Sequence, residues 1–286
     1  MPEERPLSIG QCASLACLLE ATAPKPGNVH RGADFADVTF AHFATSAVVL
    51  GPPLEQAACG APIGACILQA VETIATHVAS NTYLGTLLLL APLAAAAGRG
   101  SVREQIGGVL AALSADDAEC VYSAIRRAQP GGLGRVDEHD VSDAPPPSLL
   151  TAMAAAAERD LVARQYVTDF ALVLDEATPS LVAELNKGRT LIEAIVRLHL
   201  RLMAKHPDSL IARKCGQALA EQSAAWAQAV LETSGEEAVY YGALADFDFW
   251  LRSDGNRRNP GTTADLVAAA LFVALVEGRV PAPWPL

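Results

Sequence analysis

The chain has 286 residues, 51% of them hydrophobic but only 5% aromatic, so its core is built from Ala, Leu and Val, a composition that favours close-packed helices over strands. Its 21 basic and 32 acidic side chains give a formal charge of −11, which argues against a nucleic-acid partner bound through neutralised phosphates. The six cysteines form no CxxC and no Cys/His grouping at zinc spacing, and read as small hydrophobes in a reducing compartment.

In chain order, apolar periodicity predicts helices at about 8–22, 37–50, 62–79, 85–97, 102–113, 115–128, 148–175, 179–186, 190–205, 209–232, 234–248 and 263–277. The expected fold is all-α: a single compact multi-helix domain of about ten to twelve helices spanning residues 1–286. Ser101 with Glu104, Ser114 with Asp117 and Thr262 with Asp265 have capping-box spacing, and Thr178-Pro179 offers an N-cap with proline at the first helical position. Gly51, Gly98, Gly188 and Gly278 read as helix stops. The run from Leu84 to Gly98 falls short of the ~20 residues that span a bilayer and reads as a buried core helix. With no basic, apolar leader at the start, a soluble cytoplasmic protein with no membrane partner is expected. The segment 130–147, PGGLGRVDEHDVSDAPPP, is an internal loop, either a solvated connector or a cover over a substrate site.

Four polar islands interrupt this apolar chain. In PKPGNVHRGADFAD, residues 24–37, Pro24 and Pro26 forbid a continuous helix, so Lys25, Gly27, Asn28 and Val29 form a stiff turn able to expose backbone N–H groups to an anion. Lys25, His30 and Arg31 add charge to that turn. Asp34 and Asp37 follow three residues apart, either capping a helix that begins near Asp37 or binding Mg²⁺ together with substrate phosphates. In SNTYLG, residues 80–85, Asn81 or Thr82 caps the next helix, a place that also suits phosphate. In SDGNRRNPGTTAD, residues 253–265, Arg257 and Arg258 are either surface charge or a phosphate fork, and Asp265 is most economically the capping partner of Thr262. In DSLIARKCG, residues 208–216, Arg213 and Lys214 read as a solvated face or a weaker anion site.

PKPGNVH with DF.D, then NT.LG with LLLL.PL, then PGGLGR, ARK.G and NPGTTADL, resemble in order and spacing the triphosphoribosyl-dephospho-CoA synthase family, from about Glu20 to Leu266. The resemblance implies a helical transferase that joins ATP and a dephospho-CoA-like acceptor, releases adenine, and makes the precursor of the prosthetic group of citrate lyase or malonate decarboxylase. Breaking an N-glycosidic bond of ATP passes through an oxocarbenium-like centre, which calls for carboxylates nearby and for Mg²⁺ with basic groups on the triphosphate. On that implication Glu20, Asp34 and Asp37 are the candidate catalytic carboxylates, the two aspartates also holding Mg²⁺. Lys25, Gly27, Asn28, His30, Arg31, Asn81, Thr82, Arg213, Arg257, Arg258 and Asn259 are the candidate nucleotide-binding residues. The sequence departs from the citrate lyase branch at His30, where an acidic residue is common, and at Tyr83 and Leu84, where histidine and lysine stand. In these spellings it is more similar to a branch of archaea and methanopterin-using bacteria. The competing readings are a Mg-ATP-dependent hydrolase or phosphotransferase in C1-cofactor assembly, and a non-catalytic helical binding module.

Overall fold

The computed structural model describes residues 7–132, 134, 139–280 and 283. Among these the regular structure is helical throughout: α1 (Ile9–Thr22), α2 (Phe40–Val49), α3 (Gly51–Ala58), α4 (Ile63–His77), α5 (Leu84–Ala97), α6 (Val102–Ala111), α7 (Ala115–Ala128), α8 (Leu149–Ala156), α9 (Leu161–Val167), α10 (Thr178–Asn186), α11 (Leu191–Lys205), α12 (Ser209–Cys215), α13 (Gln217–Glu232), α14 (Glu237–Arg252) and α15 (Gly261–Val276). A π-helical segment, Leu172–Ala177, runs directly into α10, and a 3-10 turn, Thr233–Gly235, precedes α14.

The all-α expectation holds, but the described residues form fifteen α-helices rather than the ten to twelve expected, for three local reasons. Gly51 does not stop a helix; with Pro52 and Pro53 it opens α3, where prolines fit because first-turn N–H groups have no helical partner anyway. The expected helix at 148–175 breaks at Asp160, which caps α9, and again at Asp169 and Phe170, whose φ values of 47° and 59° turn the chain so that Phe170 is fully buried. The expected helix at 209–232 breaks at Gly216, whose φ of 93° suits glycine.

The capping signals divide in the same way. Ser114 and Asp117 form the expected box on α7, and Asp117 also accepts the Gly64 N–H at 2.7 Å, tying the starts of α4 and α7. Ser101 makes no side-chain cap, and Thr178 and Thr262 lie inside their helices rather than ahead of them.

At the centre lie α5 and α15, packed on each other and on α1; nearly every residue of α5 and the run Leu266–Ala274 of α15 are buried, as their all-round apolar composition requires. Inside α5, Pro92 lacks the N–H that would satisfy the Leu88 carbonyl one turn back. The Tyr166 hydroxyl from α9 donates to that carbonyl at 2.6 Å instead. No single helix among the described residues is long and apolar enough to cross a membrane.

Candidate active site

A cleft of about 640 Å³ opens where the starts of α5, α9, α12 and α15 meet the end of α1 and the loop before α2. Every distinctive island contributes to its wall: Asn28 and Asp37 from the first, Ser80 to Gly85 from the second, Asn256, Asn259 and Asp265 from the third, Arg213 and Lys214 from the fourth. Pro130, Gly131, Gly134, His139 and Asp140 of the internal loop also line it; residues 133 and 135–138 lie outside the described residues. The far wall is apolar, with Leu88, Val121, Ile125, Leu149 and Met153.

The opening turn is not an open anion cradle. The Gly27 N–H donates to Asp248 Oδ1 at 2.7 Å, the Asn28 N–H to the Lys25 carbonyl at 3.3 Å, and the His30 N–H to the Ala33 carbonyl at 3.1 Å, so these amides serve the fold. Gly27 is required here: its φ is +77°, and a Cβ would meet Leu251 at 2.7 Å and Pro260 at 2.8 Å. Arg252 of α14 bonds Asp248 at 2.9 and 3.0 Å and also donates to the Asn28 carbonyl, clamping the turn from outside. Neither α14 residue carries a motif, and neither was selected from the sequence.

Lys25 does not face the cleft. It is fully buried, its Nζ bonded to Glu20 Oε1 at 2.8 Å and to the Glu20 and Ala23 carbonyls. Glu20 itself lines the cleft floor. Burial raises the Glu20 pKa, and the Lys25 ammonium opposes that rise. His30 and exposed Arg31 stay outside the cleft, and burial followed by the Arg252 charge lowers the His30 pKa.

The two aspartates of DFAD separate. Asp34 accepts the Phe40 N–H at 2.7 Å and supports the start of α2, whose N-cap is Thr39 rather than Asp37. Asp37 lines the cleft and accepts the Asn256 side-chain amide at 2.6 Å. Among the described residues no three His, Cys, Asp or Glu side chains gather as a metal cage. Five carboxylates among them, Glu20, Asp37, Asp140, Asp160 and Asp265, line the cleft singly, and Mg²⁺ characteristically takes only one or two carboxylates and completes its shell from phosphates and water.

Asn28 donates its side-chain amide to Asn259 Oδ1 at 2.8 Å, so the first and third islands close on each other. Asn81 accepts the Leu84 N–H at 3.3 Å but is not the N-cap of α5, which is Tyr83, and Thr82 donates to Ser46 Oγ at 2.8 Å, so neither holds the expected capping position. Arg257 is exposed beside Asp254, and Arg258 lies over the Trp250 ring at 4.7 Å and bonds the Trp250 carbonyl at 3.0 Å; neither lines the cleft.

Basic charge in the cleft comes instead from the fourth island. Arg213 pairs with Asp160. Half-buried Lys214 reaches the Asn256 carbonyl at 3.3 Å, and burial lowers its pKa against the opposing charges of Cys215, Asp37 and Asp208. Gly131 and Gly132 pack on this pair: a Cβ at Gly132, whose φ is +73°, would stand 3.0 Å from Lys214 Cγ and 3.5 Å from Arg213 Cβ.

Asp140 and Asp160 line the cleft although neither was expected there, and two further aspartates have roles their spacing did not indicate. Asp265 does not cap Thr262; it lies in the cleft, its Oδ1 accepting the Thr86 hydroxyl at 2.6 Å. Asp208 is buried, accepting the Leu210 and Ile211 N–H groups at 2.9 and 3.0 Å and the N–H and hydroxyl of Thr263 at 2.7 and 2.8 Å, so that one side chain joins the starts of α12 and α15.

The profile of the family described as ATP:dephospho-CoA triphosphoribosyl transferase matches residues 6–282. Among solved structures, a protein of Archaeoglobus fulgidus assigned as a triphosphoribosyl-dephospho-CoA synthase is similar with a TM-score of 0.64 and 27% sequence identity, over 82% of this chain and 98% of that one. No curated protein sequence matches the chain significantly.

Proposed function

The chain belongs to the ATP:dephospho-CoA triphosphoribosyl transferase family, and on that premise we propose how its cleft performs the reaction. The enzyme moves the triphosphoribosyl group of ATP to dephospho-CoA and releases adenine, a step of cofactor biosynthesis. At the ribose C1′ the bond to adenine N9 breaks and a bond to an acceptor oxygen forms, while the triphosphate stays on the ribose.

The triphosphate lies against Arg213 and Lys214, whose side chains give charge-assisted contacts to phosphate oxygens. Mg²⁺ enters as part of the nucleotide substrate, with Asp37 as its protein ligand. Asn28, Asn256 and Asn259 hold the rim that carries Asp37, and Asn81 and Thr82 set the start of α5 at the cleft. Glu20, held beside Lys25, faces the ribosyl centre with negative charge where positive charge develops. The apolar wall from Leu88 to Met153 receives the adenine ring. A reaction that consumes ATP supports a cytoplasmic location.

One observation carries this reading: islands as distant as Asp37 and Asn256, 219 positions apart, meet at 2.6 Å on the wall of one cleft. The test is to incubate the purified protein with ATP, Mg²⁺ and dephospho-CoA and identify products by mass spectrometry. Free adenine with a triphosphoribosyl adduct of the acceptor is expected; ADP, AMP or phosphate in their place overturns the reading.

A further inference from the structure

We infer that Asp265 is the catalytic acid that protonates adenine as it leaves, and that Glu20 is the carboxylate that takes the proton of the attacking hydroxyl. This rests on the transferase reading above.

Both side chains line the same cleft, one from α1 and one from α15, and those helices pack together. Their surroundings differ in the way an acid and a base require. Glu20 is bonded to a fully buried ammonium at 2.8 Å, a partner that favours the ionised carboxylate and opposes the rise that burial imposes on its pKa. Asp265 has no ion pair among the described residues and accepts only the Thr86 hydroxyl. Gly85 leaves its other oxygen room, since a Cβ at that position would overlap Asp265 Oδ2.

The charges facing Asp265 are acidic: Glu20 on α1, Asp208 ahead of α12 and Asp160 ahead of α9. Cys17 of α1 and Tyr83 ahead of α5 share this neighbourhood, and burial pushes both well up, so they stay neutral at pH 7. Burial, with those carboxylates, pushes the Asp265 pKa up to about 8 against the lowering effect of the Thr86 bond. Two carboxyl groups in one site, one kept protonated and one paired with a cation, divide the acid and base roles.

The proton balance closes on these residues. As C1′–N9 breaks, its electron pair goes to adenine, which takes the Asp265 carboxyl proton. As C1′–O forms, the acceptor hydroxyl gives its proton to Glu20. Asp265 is left ionised and Glu20 protonated, and exchange with solvent restores both; no oxidant, reductant or further reactant is needed.

The test compares Asp265→Asn with wild type in adenine release, using ATP and 7-methyl-ATP, whose base departs without an added proton. Expected results are a loss of at least 100-fold with ATP at unchanged ATP affinity by calorimetry, and recovery to within about tenfold of wild type with 7-methyl-ATP. Equal losses on both donors, or turnover with ATP within threefold of wild type, overturn the assignment. Should the variant not fold, the wild-type pH profile decides: kcat falls above about pH 8 if Asp265 must carry its proton, and a flat kcat to pH 10 overturns the role. A wild type that binds ATP but makes no adenine overturns the transferase reading itself.

Discussion

Asn28 donates its side-chain amide to the side-chain oxygen of Asn259 at 2.8 Å, across 231 positions of sequence. The bond joins the turn after α1 to the turn before α15, so it holds the two halves of the cleft rim. Asn259→Ala removes the acceptor and leaves the Asn28 amide without it. The expected outcome is a KM for ATP raised about tenfold and a stability loss of about 1 kcal/mol, read by steady-state kinetics and thermal unfolding. An unchanged KM would detach this bond from nucleotide binding.

The paired aspartates of DFAD have separable roles. Asp34→Asn keeps an oxygen to accept the Phe40 N–H, so adenine release should stay within twofold of wild type. Asp37→Asn keeps the size and the contact with Asn256 but loses the anionic charge proposed for Mg²⁺, and turnover should fall at least 100-fold with the fold intact by circular dichroism. Equal activity of the two variants would remove Asp37 from the metal.

Lys25 tests whether a motif lysine serves the ligand or the fold. Lys25→Met strands the Glu20 carboxylate in a buried site without its cation, and breaking one side of such a pair costs about 3–5 kcal/mol. Chemical denaturation should show that loss in the absence of any nucleotide. A variant as stable as wild type would show that the ion pair contributes nothing to the fold.

Tyr166→Phe deletes the hydroxyl that satisfies the Leu88 carbonyl beneath Pro92. Leaving that carbonyl orphaned should destabilise the protein by about 1–3 kcal/mol. Adding Pro92→Ala restores an N–H to the same carbonyl, so the double variant should recover most of the loss; no recovery would place the cost of Tyr166→Phe elsewhere.

What the sequence determines by itself is local. Ala and Leu runs with few β-branched stretches make helices whatever surrounds them, and the composition of 84–97 and 263–276 already requires burial on all sides, so α5 and α15 are legible as the core. The islands are legible as places where the chain must turn, because Pro24, Pro26 and Gly27 allow no helix there. Which way a polar side chain points within an island is decided only by the tertiary structure. Three residues of separation made Asp265 look like the capping-box partner of Thr262, yet its carboxylate turns to Thr86, 179 positions away, because Gly85 has no Cβ to exclude it. The same applies to Lys25: its charge suggested a phosphate, but the fold buries it and presents Glu20 to the cleft. Backbone preference acts over a few bonds and can be read along the chain. Burial and the pairing of charges depend on which helix arrives opposite, and only the packed molecule supplies that.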